Sequence, residues 1–415
     1  GKGDRFEFFP AVSLGWLVSN EKFFEPLSDV VSSLKLRGSY GLVGSDETGP
    51  SNAPHFLYID QVQVTGNGRP GFTTGENLNV SYYGPVVQQW AVQNGGWERV
   101  KKLDVGFDME LFRELSITFD FFYDKRYNIL LHREAWPQSL GFHEAKPWSN
   151  KGKVDNWGYE VSTNWRKQFT KDLTVDFRGT FTYTQNKYID VDEPIYPYVW
   201  QTATGKPLNR RNGYIAEGLF QSQEEIDNSP TQNLGSKPMP GDIKYRDVDG
   251  NGVIDSKDQV MISKTANMPR IQYGFGVNID WKRFNFGVFF NGSAMRDINI
   301  NGLHPFGQND YNAMKFVAEN RWTEANPNPN AEYPRLGLND SQMSNNSQSS
   351  TYWIRNGNFL RFKTLEIGYR FDHVRLYFTG NNLAVFSPFK LWDPELGWNS
   401  YPLQRTFCIG AQLSF

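Results

Sequence analysis

The chain has 415 residues, and its 43 basic and 45 acidic side chains leave a formal net charge of −2, so no charge excess points to nucleic acid or an anionic membrane surface. Mean hydropathy is −0.58, and no stretch reaches the roughly eighteen apolar residues of a membrane-crossing helix, which excludes a helical membrane protein. Yet 16% of residues are aromatic and 38 are glycine, a composition that suits a sheet apolar on one face and wet on the other, as in a lipid-facing β-barrel with aromatic girdles.

In chain order, the dominant signal is alternation with a period of two. From Phe6 to Val18 the even positions are Phe6, Phe8, Pro10, Val12, Leu14, Trp16 and Val18, with Glu7, Ser13 and Gly15 between them. The pattern returns over Leu103–Leu111, Ile117–Tyr123, Trp157–Trp165 and Val175–Tyr183. It returns again over Ile271–Trp281, where Ile271, Tyr273, Phe275, Val277, Ile279 and Trp281 alternate with Gln272, Gly274, Gly276, Asn278 and Asp280. Phe284–Phe290, Leu365–Phe371, Val374–Phe378 and Phe407–Phe415 complete the series. About a dozen candidate strands result, many of roughly nine to eleven residues, the length that crosses a bilayer at a barrel tilt. A soluble sandwich also alternates, but its strands average about five to six residues. Here the polar face carries charges and amides at mid-strand, as a water-filled lumen would. Trp16, Trp281, Tyr123 and Tyr183 stand toward the ends of the apolar face, where headgroups are met.

The connections alternate in length. Trp281-Lys282-Arg283-Phe284, Lys167–Asp172 and Glu110–Ser116 read as tight turns, whereas Gly44–Gly96, Asn186–Pro269 and Asn291–Arg355 are long and rich in Asn, Gly, Pro and Ser. Short periplasmic turns and long extracellular loops are expected of a barrel, and long loops usually carry function. Residues 1–415 therefore read as one continuous barrel segment. Gly1-Lys2-Gly3-Asp4 runs straight into a strand pattern, so a secretory leader is expected to lie upstream or to have been removed. The closing Phe407–Phe415, alternating and ending in an aromatic, resembles the terminal signal of outer-membrane barrel assembly, so a natural C-terminus is expected there.

The sharpest local chemistry is Asp247-Val248-Asp249-Gly250-Asn251-Gly252-Val253-Ile254-Asp255-Ser256-Lys257-Asp258. It fits a twelve-residue calcium loop, with oxygen ligands from Asp247, Asp249, Asn251, Asp255 and Asp258, the Val253 carbonyl, and glycine at position six. Position twelve is Asp258 rather than Glu, and no helices obviously flank the loop. A solvated Asx-rich turn without metal is the competing reading, and a bound Ca2+ would be structural. The histidines His55, His132, His143, His304 and His373 are scattered without ligand spacing. Cys408, the single cysteine, reads as a small strand residue with none of the surroundings of an activated thiol. Gly274-Phe275-Gly276 sits mid-strand with no helix after it, so it reads as space in the lumen rather than a nucleotide loop. No nucleophile-and-base constellation appears, and no enzyme is expected.

Several segments together resemble the SusC-like family of TonB-dependent transporters. They are Phe9–Trp16, Leu34–Gly41, Gly241–Tyr245 with the acidic loop after it, Arg321–Thr323, Tyr333–Leu336, Phe359–Lys363, Gly380–Leu383, Asp393–Glu395 and Tyr401–Leu403. The resemblance implies an all-β, antiparallel transmembrane barrel of about twenty-two strands in the outer membrane of a Gram-negative bacterium. This chain would be its C-terminal portion, with the plug and the TonB-binding segment lying outside it. The implied partners are a SusD-like surface lipoprotein, TonB and outer-membrane lipids, without nucleic acid. The implied function is energised import of an oligomeric nutrient, a glycan more readily than a peptide. Tyr196, Tyr198 and Trp200 in one long loop, with Trp392 and Trp398 near the C-terminus, are the candidate substrate contacts, against packing within the loops. A smaller passive channel and an outer-membrane barrel hydrolase are the alternatives.

Overall fold

A computed structural model describes residues 6–45, 56–64, 70–92, 95–136, 146–266, 268–301, 314–337, 340–397 and 400–414. Eleven strands form one sheet: β1 (Ala11–Leu17), β2 (Val31–Ser45), β3 (Glu98–Leu111), β4 (Leu115–His132), β5 (Trp148–Thr170), β6 (Leu173–Asp190), β7 (Ile271–Trp281), β8 (Phe284–Ala294), β9 (Phe359–Arg370), β10 (Val374–Phe386) and β11 (Thr406–Leu413). Each pairs antiparallel with its neighbour in sequence, so the sheet is a simple meander with β1 and β11 at its edges. No helix among the described residues is long and apolar enough to cross a membrane.

The alternation fixes the register. Leu36, Phe107, Phe119, Val161, Phe181 and Tyr273 lie opposite one another in a single row across β2 to β7. The row one residue over contains Arg37, Gly106, Asp120, Glu160, Thr182 and Gln272. A slip of one residue on any strand would exchange the two faces. On the apolar side aromatic rings stack from strand to strand, with Phe107 5.5 Å from Phe119, Tyr159 5.9 Å from Phe181 and Phe275 5.3 Å from Phe290. The accessible surface is 25529 Å², well above the roughly 16,000 Å² of a compact water-soluble chain of this mass. Both faces of the sheet are bare, as a wall between lipid and lumen requires.

Some strands depart from expectation. Phe6–Pro10 alternate in sequence but lie outside β1, which starts at Ala11. The proline at position 10 cannot donate to a ladder. The longest strands exceed the expected span: β5 has 23 residues, roughly 75 Å at strand rise, and continues well past a hydrocarbon core about 30 Å thick. The tight turns expected within Glu110–Ser116, Lys167–Asp172 and Trp281–Phe284 lie at residues 112–114, 171–172 and 282–283, with Phe112, Arg113 and Lys282 in the left-handed region, and a further short turn lies at 371–373. The first connection, 18–30, is longer and holds two 3-10 turns. All the long connections (46–97, 133–147, 191–270, 295–358 and 387–405) emerge at the opposite end.

Three of those long connections are not separate loops. Segments 191–270, 295–358 and 387–405 interleave into one body whose core contains Tyr214, Ile243, Tyr245, Val317, Trp322, Tyr333, Trp353 and Phe389. The largest cluster of buried apolar side chains therefore sits beyond the sheet. The reason is solvent: the sheet's apolar face has lipid to meet, whereas the loops must bury their aromatics against each other in water.

Candidate functional site

Within this loop body the acidic loop adopts a closed, hydrogen-bonded form. The Asp247 carboxylate accepts from the N–H groups of Gly250 and Gly252, each at 2.8 Å. Asn251 Oδ1 accepts from Val253 N–H at 2.7 Å, and its side-chain amide donates to Asp249 at 3.0 Å. Burial lifts the Asp247 carboxyl, but the backbone donors of Gly252, Gly250 and Asn251 outweigh it and hold its pKa below the ordinary carboxylate value. Asp258 is fully buried and accepts three backbone N–H groups, from Val248 at 2.7 Å, Asp249 at 3.3 Å and Asp255 at 2.8 Å. Asp255 and Asp258 form a capping box on the 3-10 turn Ser256–Asp258. Carboxylate oxygens of Asp247, Asp249 and Asp258 all lie within 4.8 Å of one another. Val253 and Ile254 pair in parallel with Thr231 and Gln232. That ladder uses the carbonyls of Gly252 and Ile254 and not that of Val253.

The predicted aromatic cluster and the predicted metal loop are parts of one arrangement. Tyr198 and Trp200 stack face to face at 4.5 Å with 7° between their planes. The Asp249 carboxylate beside the Tyr198 hydroxyl raises the phenol's pKa. The Trp200 indole donates to the carbonyl of Lys257 at 2.8 Å. The pair thus braces the acidic loop across its opening and closing turns. Tyr196 stands exposed beside them. Trp392 packs edge-on against Phe389 at 4.6 Å, and its indole donates to Leu396 O at 3.1 Å. Both indole N–H groups are thereby committed to backbone carbonyls. Trp398 lies outside the described residues, as do His55, His143 and His304. His132 stacks on Trp148, and Cys408 is exposed on β11.

The recurring sequence segments prove to be contact points. Gly241–Tyr245, Arg321–Thr323 and Tyr333–Leu336 meet around a buried ion pair, with Arg335 Nε 2.7 Å from Asp242 Oδ1 and Asn346 donating to the same carboxylate at 2.8 Å. Burial outweighs Arg335 and raises the Asp242 pKa. Gly241, at φ +88°, lies under Trp322, where a Cβ would come within 2.2 Å of the indole. From there a polar spine crosses the core: Asn346 Oδ1 accepts from Ile243 N–H, and Gln232 bridges the Ile243 carbonyl, Tyr245 N–H and Asn345.

Phe359–Lys363, Gly380–Leu383 and Asp393–Glu395 meet around Arg361. A bulge in β9 pairs Phe289 with Thr364 but Phe290 with Phe362, so Lys363 is the extra residue. Below the bulge Leu365 and Ile367 face lipid; above it Phe362 does, and Arg361 points inward. Arg361 is nearly fully buried. Its guanidinium contacts Asp393 at 2.6 Å, Glu395 at 3.0 Å and the Asn382 side chain. On the luminal face lower down, Arg37 of Leu34–Gly41 lies opposite Gly106, and the bare glycine leaves its guanidinium a path to Asp120 on the next strand at 2.7 Å. Asp108 takes its Nε at 3.2 Å. The sequence marked these segments but gave no sign of which residues they would join.

No family model matches the chain. It is similar to TonB-dependent receptor P26 of Formosa agariphila, at 27% identity over 99% of this chain and 43% of that protein. TonB-dependent receptor SusC of Bacteroides thetaiotaomicron is 26% identical over the whole chain and 40% of its own length. Among solved structures, the RagAB peptide transporter superposes over the whole chain and 44% of its own, with a TM-score of 0.71 at 20% identity, a likeness of fold. The chain spans less than half the length of the curated relatives it matches. The resemblance to SusC-like TonB-dependent receptors holds over the full sequence, the sheet is that of an outer-membrane β-barrel, and the relatives are receptors rather than enzymes.

Proposed function

We propose that this chain forms the C-terminal wall and part of the extracellular body of a SusC-like importer that takes up an oligomeric nutrient at the expense of TonB-transmitted energy. The observation that carries the reading is the joining of an eleven-strand meander, apolar outside and polar inside, to one packed body made of its long loops. A passive pore needs the wall but not the body. The body offers a broad outer surface for a SusD-like lipoprotein, and the edge strands β1 and β11 offer backbone ladders to the remaining strands. TonB and a plug would act through segments outside this chain. The nutrient is read as a glycan rather than a peptide, a reading supported by the amides and hydroxyls of Thr184, Gln185, Asn186, Asn209, Thr265 and Gln272 that line the rim where β6 and β7 part, beside Lys264, Arg270, Met268 and two prolines. The test is uptake of labelled oligomers by cells with and without TonB. Undiminished uptake without TonB refutes the reading.

The acidic loop is proposed as a structural calcium site with Asp247, Asp249, Asn251, the Val253 carbonyl, Asp255 and Asp258 as its ligand set. The convergence of three carboxylates supports it, and Asp258 would give the metal only the lone pairs its three N–H donors leave. Elemental analysis of protein purified without chelator should find calcium, and Asp247→Ala with Asp249→Ala should remove it. Its absence from the unsubstituted protein leaves the Asx-turn reading.

A further inference from the structure

Where β6 and β7 part and pass into the loop body, a cavity of about 400 Å³ opens between Thr184, Asn186, Arg270 and Gln272 on one side and Pro207, Asn209, Lys264, Thr265, Met268 and Pro269 on the other. Among the described residues its charged lining side chains are Lys264 and Arg270, and no carboxylate lines it. Asp297 nearby is not part of the lining, and the Ser263 and Thr265 hydroxyls donate to it. The Arg270 guanidinium has only two long contacts, 3.5 Å to Gln185 Oε1 and 3.4 Å to the Lys264 carbonyl. These lie at the outer limit of a hydrogen bond. Among the described residues neither cation forms an ion pair. This is unlike the arginines that hold the architecture together: Arg37, Arg335 and Arg361 are each matched to carboxylates. The guanidinium fork therefore remains available to an anion from outside, and a planar or tetrahedral oxyanion is the group it matches two-pronged.

The rest of the lining narrows the class of ligand. Gln185, Asn186, Asn209 and Gln272 each carry a donor and an acceptor, and Thr184 adds a hydroxyl. Such groups suit vicinal sugar hydroxyls, and the apolar lining, Pro207, Met268 and Pro269, includes no aromatic or branched aliphatic side chain among the described residues. We propose that this cavity receives the carboxylate or sulfate of an acidic sugar unit, so that the imported glycan is an anionic one. The inference rests on the import reading above and gives it a substrate class.

The test is direct binding to the full-length receptor in detergent, using hexagalacturonate and a sulfated carrageenan hexamer against neutral maltohexaose. At least one anionic hexamer should bind ten-fold or more tightly than the neutral one, with an affinity that falls as salt rises. Lys264→Gln with Arg270→Gln should weaken that hexamer at least ten-fold and leave maltohexaose unchanged. The charge-keeping variant Lys264→Arg, which leaves the Arg270 fork in place, should stay within about three-fold of the unsubstituted protein, which separates loss of charge from loss of fold. Equal affinity for charged and neutral hexamers, or full affinity in the double glutamine variant, overturns the proposal. So does displacement of the bound hexamer by lipid A micelles or inorganic phosphate at matched charge, which would mark a phosphate site. Uptake in cells answers separately: TonB-dependent but charge-blind uptake leaves the import reading standing and removes this one.

Discussion

Replacing Arg361 by alanine should release the last long loop without unfolding the barrel. The guanidinium is nearly fully buried and faces Asp393, which is only 14% exposed, together with the more exposed Glu395 and the Asn382 side chain. Removing one partner of a buried pair costs about 3–5 kcal/mol, because the other charge is left dry and uncompensated. Glu395 can turn to water and recovers part of its hydration, so the lower end, about 3 kcal/mol, is the expected cost. The loss falls on one contact: Arg361 belongs to β9, whose ladders to β8 and β10 do not depend on its side chain, while Asp393 and Glu395 belong to segment 387–405. That segment should therefore open about a hundred-fold more often, since each 1.4 kcal/mol is about a factor of ten. Hydrogen–deuterium exchange of the full-length protein reads this as about a hundred-fold loss of protection confined to 387–405. Arg361→Met with Asp393→Asn and Glu395→Gln should recover most of it, because no bare charge remains. Unchanged exchange in 387–405 after Arg361→Ala, or equal loss throughout β8 to β10, would refute the reasoning.

Gly241→Ala should destabilise the loop body by about 1–3 kcal/mol, because the added methyl meets Trp322 at 2.2 Å in a backbone region that strains any side chain; thermal unfolding followed by Trp fluorescence checks it. Deleting Lys363 removes the β9 bulge but leaves Phe362 opposite Phe290 and Arg361 opposite Asn291 on their present faces, so heat-modifiable gel mobility should still report a folded barrel. Trp200→Ala should loosen the acidic loop by removing its hold on Lys257 O, seen as faster proteolysis within 247–258. Asp247, whose pKa is depressed in the folded protein, stabilises the loop above the ordinary aspartate pKa and loses that contribution as pH falls from there through the folded value. Proteolysis of the loop should therefore quicken in that acid range, and Asp247→Asn should abolish the change.

The sequence by itself determined the wall. Alternation is a one-dimensional signal with the same period as the strand, so Ile271–Trp281 and Phe284–Phe290 disclose their strands, their two faces and the tight turn between them without reference to anything distant. It also disclosed the turn geometry of the acidic loop, because turn glycines and Asx side chains act within a few residues. Only the tertiary structure decided how the long connections behave. Tyr198 and Trp200 read from sequence as either substrate contacts or loop packing, and only the fold sets them against Asp249 and Lys257. Arg361, Asn382 and Asp393 carry no mark of one another in the chain, and they meet because the β9 bulge absorbs Lys363 and keeps the arginine on the inward face. Such contacts join positions tens of residues apart and have no period to announce them. Local rules therefore place the barrel's strands, and long-range packing in water makes its loops into one body.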